Sequence, residues 1–427
     1  MMLQKLVRLI SYLTLAILLL SACQSKINTG STPVPPTVPL QPSNTLPPST
    51  TPTAALQPSD TPPPSAKPTA SPTPAALIAF IDSGQDLGRG NGVCIVVGDV
   101  DGDGDSDALI STDDQASTLW LNDGTGKFTP SEQGFKASSC AALGDLNGDK
   151  SLDIFFTENT SNHVWLNNGK GKFSSSNQNL VSPESSGVAL GDLDGDGDLD
   201  AFVINWNGKP DQVFLNNGRG KFSDSGQQLG NWFGSDVVLG DVDQDGDLDA
   251  LVSNNGEEST NATVLWLNDG HGKFIDSQQR LGFTNASALA LGDLDGDGDL
   301  DAFIANSSHG DANPADKVWL NDGKGVFSDS EQSLGSVYDL TVELGDLDGD
   351  GDLDAFTGIW RLGARVWLND GKGKFVDSQV RLSNNSAGVA IADLDGDGDL
   401  DVFVSTNTWT GGNGRPKLWL NQLKTTK

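Results

Sequence analysis

Short runs of strand-forming residues recur along this chain, each bounded by a turn rich in Asn, Asp and Gly. Cys94-Ile95-Val96-Val97 and Val237-Val238-Leu239 represent one kind of run, and Ala201-Phe202-Val203-Ile204 a second. A third opens Trp-Leu-Asn at Trp120, Trp165, Trp266, Trp319, Trp367 and Trp419, with Phe214 replacing Trp once, and leads into an Asn-Asp-Gly or Asn-Asn-Gly turn. The fourth is Phe-x-Asp-Ser-x-Gln-x-Leu-Gly, clearest at Phe222–Gly230 and Phe274–Gly282. Turn residues at fixed offsets between such runs are hairpin signals. Four strands in about 50 residues predict one blade of a β-propeller and an all-β fold class.

The two ends of the pattern are complementary. The last repeat stops after Trp419-Leu420-Asn421 and lacks a Phe strand, whereas the pattern begins with an orphan one, Phe80 to Gly88. Together they bring every motif to seven. The expectation is a seven-bladed propeller of four-stranded blades over residues 77–423, closed by the N-terminal strand completing the last blade, which removes exposed edges. An open solenoid is the alternative, but it has no need of complementary terminal fragments.

Between the first and second strands of every repeat lies a run of alternating carboxylates. The first comprises Asp99, Asp101, Asp103, Asp105 and Asp107; the second Asp145, Asn147, Asp149, Ser151 and Asp153; the third Asp192, Asp194, Asp196, Asp198 and Asp200. The fourth holds Asp241, Asp243, Asp245, Asp247 and Asp249, and the fifth Asp293, Asp295, Asp297, Asp299 and Asp301. The sixth holds Asp346, Asp348, Asp350, Asp352 and Asp354, and the seventh Asp393, Asp395, Asp397, Asp399 and Asp401. They recur at intervals of 46, 47, 49, 52, 53 and 47 residues. Two carboxylates about 4 Å apart repel by roughly 4 kcal/mol at an effective dielectric near 20, so five in one turn call for a counter-charge. Oxygen-only donors around a turn glycine suit Ca²⁺; solvated acidic turns without metal are the competing reading.

Two known calcium loops do not fit. An EF-hand needs a Glu at position twelve, where this chain has Ile110, Phe156, Val203, Val252, Ile304, Thr357 and Val404. A calcium β-roll repeats every nine residues or so. The formal charge of -32 is concentrated in the loops, which hold 33 of the 58 acidic residues. Up to seven divalent ions would leave a surface still acidic, one that repels nucleic acid and anionic membranes.

The repeat resembles the FG-GAP and VCBS-type repeats of the integrin α-subunit propeller and its bacterial relatives. The resemblance covers about residues 77 to 423 and is most specific in the carboxylate loop. In that family the loop binds Ca²⁺. Carried over to the first repeat, the ligands would be the side chains of Asp99, Asp101, Asp103 and Asp107 and the backbone carbonyl of Asp105, with Gly104 supplying the left-handed turn. The second loop departs most, with Asn147, Ser151, and Lys150 at the turn glycine, so it is the expected weakest site. Gln244 replaces a less critical glycine in the fourth.

The N-terminal 76 residues belong to no core. Lys5 and Arg8, the apolar stretch Leu9 to Leu20, and Leu20-Ser21-Ala22-Cys23 have signal-peptide anatomy. They resemble a bacterial lipoprotein signal, which implies residues 1–22 as the signal and Cys23 as the lipidated N-terminus; an ordinary signal or an uncleaved anchor is the other reading. Residues 23–76 read as a Pro/Ser/Thr-rich stalk, long enough at about 3.1 Å per residue to span an envelope, and 424–427 as a tail. Cys94 and Cys140 occupy equivalent places in adjacent repeats, so they form either a disulfide or two buried thiols.

The expected function is that of a surface-anchored, monomeric binding or adhesion module for a glycan or an envelope or extracellular protein. Contact with a membrane would run only through the lipid anchor. Trp206, Trp232, Phe233, Trp360 and Trp409 lie outside the repeated motifs, on the face opposite the carboxylate loops, where they either meet a partner or cap the core. A Ca²⁺-dependent lectin and a polysaccharide lyase or hydrolase are the sharper and the different-class alternatives. His163, His271 and His309 have no matched partners, and no nucleophile or zinc-protease motif is present, so no catalytic residue is assigned.

Overall fold

The second strand of each blade is the most deeply buried part of the chain. Asp107–Thr112, Asp153–Thr157, Asp200–Asn205, Asp249–Asn254, Asp301–Asn306, Asp354–Ile359 and Asp401–Ser405 are buried at every position. Both of their faces are covered, because neighbouring blades stack on each side. Residues 78–255, 262–282, 285–307, 315–335, 338–382, 386–406 and 414–423 are described by this computed structural model, and among them there are strands and turns but no helix. Cys23, the stalk, His309, Trp409 and residues 424–427 lie outside the described residues.

Seven antiparallel sheets follow one another in chain order. The first blade runs Gly92–Gly98, Asp107–Thr112, Thr118–Asn122, Phe128–Gly134. In the second blade the outer edge is split into Phe173–Ser175 and Leu180–Val181, both paired with Ser161–Asn167. The first strands of successive blades contact one another around the ring, and the first strand of blade seven contacts that of blade one. The protein is thus a closed seven-bladed β-propeller.

Closure uses the orphan strand as expected. Phe80–Asp82 is the fourth strand of blade seven, with Phe80 opposite Asn421, Ile81 opposite Leu420 and Asp82 opposite Trp419. Ser83 N–H to Leu418 O and Gln422 N–H to Ala79 O extend the pairing, and Lys417 meets the Asp82 carboxylate.

The core is built between blades. Phenylalanines of second strands meet, edge to face, the phenylalanine opening the fourth strand of the next blade: Phe155 with Phe222, Phe202 with Phe274, Phe303 with Phe375, Phe356 with Phe80, and Phe403 with Phe128. Each such pair adds about 1 kcal/mol to the burial of its rings.

A glutamine then ties the outer strands together. Gln133 in blade one donates to Phe173 O (2.7 Å) and accepts from Phe173 N–H (2.9 Å) in blade two. Gln85, Gln178, Gln227, Gln279 and Gln332 each accept from the equivalent Phe N–H in the following blade and donate to a backbone carbonyl at the same turn. At the junction of blades six and seven the equivalent residue is Val380, which packs with Phe80 in an apolar cluster.

Candidate functional site

Each carboxylate loop leaves the first strand of its blade and turns back into the second. In the first loop both Asp99 oxygens accept loop N–H groups, from Gly102 (2.7 Å) and Gly104 (3.1 Å). Asp101 and Asp103 cap the N–H groups of Asp103 and Asp105. Gly104 has φ +100°, which a side chain rarely tolerates. Oxygens of Asp99, Asp101 and Asp107 lie within 4.8 Å of one another, as do those of the corresponding residues in the third, fourth and sixth loops and of Asp293, Asp295 and Asp297 in the fifth.

The ninth position has a second task. Asp107 Oδ2 accepts from Val100 N–H (3.0 Å) and Oδ1 from Asn122 N–H (2.8 Å), and the same two bonds recur at Asp153, Asp200, Asp249, Asp301, Asp354 and Asp401. Burial pushes Asp107, Asp153, Asp200 and Asp301 up to about 6, and Asp249, Asp354 and Asp401 up to about 7, against the opposing pull of those N–H groups. At the third position Asp101, Asp194, Asp243, Asp295 and Asp395 are raised by burial and by repulsion from their loop neighbours. The seventh-position carboxylate turns away: a Cβ on Gly124, in the hairpin turn of the same blade, would sit 2.4 Å from Asp105 Oδ2.

These loops fit a hard cation. Asp243 Oδ1 and Asp295 Oδ1 are buried with no hydrogen-bond partner, an arrangement that leaves an acceptor aimed at nothing. The side chains at positions one, three, five and nine, with the carbonyl at seven, would hold Ca²⁺, and its charge would relieve the repulsion among them. In the second loop the Asn147 amide instead donates to Asp153 Oδ2 (3.1 Å), and Lys150 takes the turn with φ +72°. Gln244 adopts φ +59° and reaches the Asp299 carboxylate of the next blade, so it adds a link between loops where a glycine would add none.

On the opposite face the off-repeat aromatics divide. Trp206 is 36% exposed and meets Phe233 edge-on at 5.5 Å. Trp232 instead packs against the core cluster of blades three and four, tilted on Trp266 at 6.0 Å with Arg280 over its ring. Trp360 is half-buried between Tyr338 (5.0 Å) and Arg361 (4.4 Å). Trp206 also forms one wall of a recess of about 490 Å³ across blades one to three, lined by Asp113, Ser138, Ser139, Glu158, Asn159, Thr160 and Glu184 among others.

The sequence gives no sign of those recess residues, because they are contributed by loops of three different repeats and belong to no motif. The rim is firmly held: Glu184, at φ +61°, donates its N–H to Asn159 O (2.8 Å), accepts from Trp206 N–H (2.9 Å) and receives the Asn207 amide on its carboxylate. His163 is engaged with Gln178 O and Glu158, and His271 lies in a hairpin turn.

Cys94 and Cys140 lie on the adjoining first strands of blades one and two, with Cα atoms 5.1 Å apart and their sulfurs bonded. First strands converge on the axis, which brings residues 46 apart in sequence within disulfide range.

The sequence pattern of the FG-GAP-like repeat matches residues 145–203, 192–252, 241–304, 293–357 and 361–404, more than half of the chain. The chain belongs to the FG-GAP-like repeat family. No curated protein matches it in sequence. Among solved structures, a chain in the crystal structure of BBS1N in complex with ARL6DN, soaked with mercury, is similar at 10% identity and TM-score 0.54, over 82% of this chain and 98% of that one. The lead-soaked crystal of the same complex gives 12% identity and TM-score 0.55 over the same shares. An Agrocybe aegerita lectin, solved for its recognition of non-reducing terminal N-acetylglucosamine, is similar at 20% identity and TM-score 0.46, over 67% of this chain and 79% of that one. The first two likenesses extend the FG-GAP-like chain's fold to proteins with little shared sequence.

Proposed function

We propose that the protein is a non-catalytic, calcium-stabilised binding module whose ligand is a glycan held in the recess beside Trp206. The observation that carries this reading is the lining of the recess. An exposed indole face suits the C–H side of a pyranose, and Asp113, Glu158, Asn159 and Glu184 offer acceptors and donors for its hydroxyls. Rigid backbone at Glu184, in a conformation other side chains avoid, suits a preorganised rim. Ca²⁺ in the opposite loops would brace the first two strands of each blade and take no part in contact with the ligand.

The test is a glycan-array and envelope-protein screen of the calcium-loaded protein beside its Trp206→Ala variant. Binding that disappears in the variant, with an unchanged fold, supports the reading; a partner that binds both equally overturns the site. Three carboxylates in one recess also favour a second reading, a polysaccharide hydrolase using two of them as acid and base. Release of reducing ends from any bound polysaccharide would establish that alternative. Lipid anchoring at Cys23, at a bacterial surface or envelope, belongs to the same proposal, and a Cys23→Ser variant should leave the membrane fraction.

A further inference from the structure

The first strands of the seven blades enclose an axial channel of about 770 Å³. Its wall is mainly Val, Ala, Leu and Ile, and among the described lining residues the only charged ones are Asp236 and Glu343. Asp236 Oδ2 accepts from Leu289 N–H of the next blade (3.0 Å) and Oδ1 from Val237 N–H (2.9 Å). Glu343 is half-buried in the wall and has no hydrogen-bond partner among the described residues. At the place of Glu343, two residues before the end of the first strand, the other blades carry Val96, Ala142, Ala189, Val238, Ala290 and Ala390.

A carboxyl group at this place in a mainly apolar wall is a large departure from the repeat, and holding its charge there without a partner is unfavourable. The two acids are also offset along the axis. Asp236 lies four residues before its strand's final glycine and Glu343 two before its own, which is about 7 Å of strand rise. Burial and the Asp236 charge push Glu343 up to about 8, so a cation beside it would draw off its proton.

We propose that the axial channel binds a small linear alkyl diamine, one ammonium group on Glu343, the other on Asp236, and the methylene chain along the apolar wall. A hard divalent ion is a poorer occupant, since it takes six to eight oxygen ligands and the wall supplies two carboxylates among hydrocarbon. The mouth of the channel adjoins the Trp206 recess, because Val93, Ser139 and Ser186 line both. The inference does not rest on the glycan reading, since Trp206 does not line the channel.

The test is isothermal titration calorimetry with 1,5-diaminopentane and n-butylammonium as probes, in excess Ca²⁺ so that the acidic loops are filled. The variants are Glu343→Ala, which restores the residue found in four other blades, and Asp236→Asn, which keeps an acceptor for Leu289. The expected result is saturable one-to-one binding, with the diamine about tenfold tighter than the monoamine and each variant about tenfold weaker. No saturable heat up to about 10 mM diamine would overturn the proposal, leaving a hydrated neutral acid. Equal binding by the double variant would overturn it too, placing the amine elsewhere. Trp206→Ala should bind the diamine unchanged, which separates this site from the recess.

Discussion

Asn122 donates its side-chain Nδ2 to the backbone carbonyl of Leu394, 2.9 Å away across the junction of blades seven and one. The relationship recurs at every junction: Asn167, Asn216, Asn268, Asn321, Asn369 and Asn421 each donate to the second residue of the preceding blade's carboxylate loop. The donor's own N–H is held by the ninth-position aspartate of its blade. Acidic loop, hairpin turn and neighbouring blade are therefore one hydrogen-bonded unit.

Replacing one donor should loosen one junction. Asn268→Ala removes bonds to Leu193 O and Leu248 O (2.9 and 3.1 Å) and leaves two buried carbonyls under-satisfied. The expected loss is about 1–3 kcal/mol, read as a lower urea midpoint with an unchanged slope.

Chelation should act through the same unit. EDTA is expected to lower the melting temperature markedly, and equal melting with and without it would refute a bracing role for calcium. Converting the second loop with Asn147→Asp and Lys150→Gly should add one tight site by calorimetry. The glycine should also relieve about 1 kcal/mol of left-handed strain at residue 150.

Alkaline pH should weaken the junction of blades five and six. Asp316 and Asp339 are buried side by side; burial and the adjacent Asp339 hold Asp316 well above the usual carboxylate range, and burial holds Asp339 up at about 6. Both groups take up protons more readily folded than unfolded. Their contribution is therefore fully present below about pH 4 and is lost as pH rises through 6 and beyond. Asp316→Asn keeps an acceptor for Asn306 N–H and should raise stability at pH 8 by on the order of 2 kcal/mol, with little effect at pH 4. An equal shift at both pH values would rule out the charge-based explanation.

The two aromatic roles can be separated by stability. Trp206→Ala should change unfolding by less than about 1 kcal/mol, because the ring is partly exposed, whereas Trp232→Ala should cost about 3 kcal/mol through the void it leaves beside Trp266. Chemical denaturation of the two variants checks this directly.

Much of this architecture was legible in the residues. The strand runs, the turn chemistry, the period and the orphan strand at Phe80 are local signals, and together they imply seven blades and a closed ring. What stayed hidden depends on neighbours across a junction. Asn122 reads as a turn residue and Gln133 as a polar position in an outer strand, although their recurrence in every or nearly every repeat was a usable signal. Trp232 and Trp206 are indistinguishable in sequence, since only the packing of blade four on blade three decides which ring is covered. Glu343 gave no signal beyond its charge until its strand was seen to face the axis.

Val380, standing where other outer strands carry a glutamine, bears on the order of assembly. The strand Phe80–Asp82 leaves the ribosome before any blade is complete, yet its partner Lys417–Asn421 is the last of the described propeller strands to be made. Five of the other junctions can form from segments synthesised in succession, with a polar clasp to hold them, whereas that of blades seven and one, where Asn122 meets Leu394, also awaits the last blade. This joint must wait for the final strand and then close with the Asn421 bond to Leu347 O but without the outer glutamine clasp, so the nascent protein spends nearly its whole synthesis as an open arc. A protease present during translation would find its substrate there.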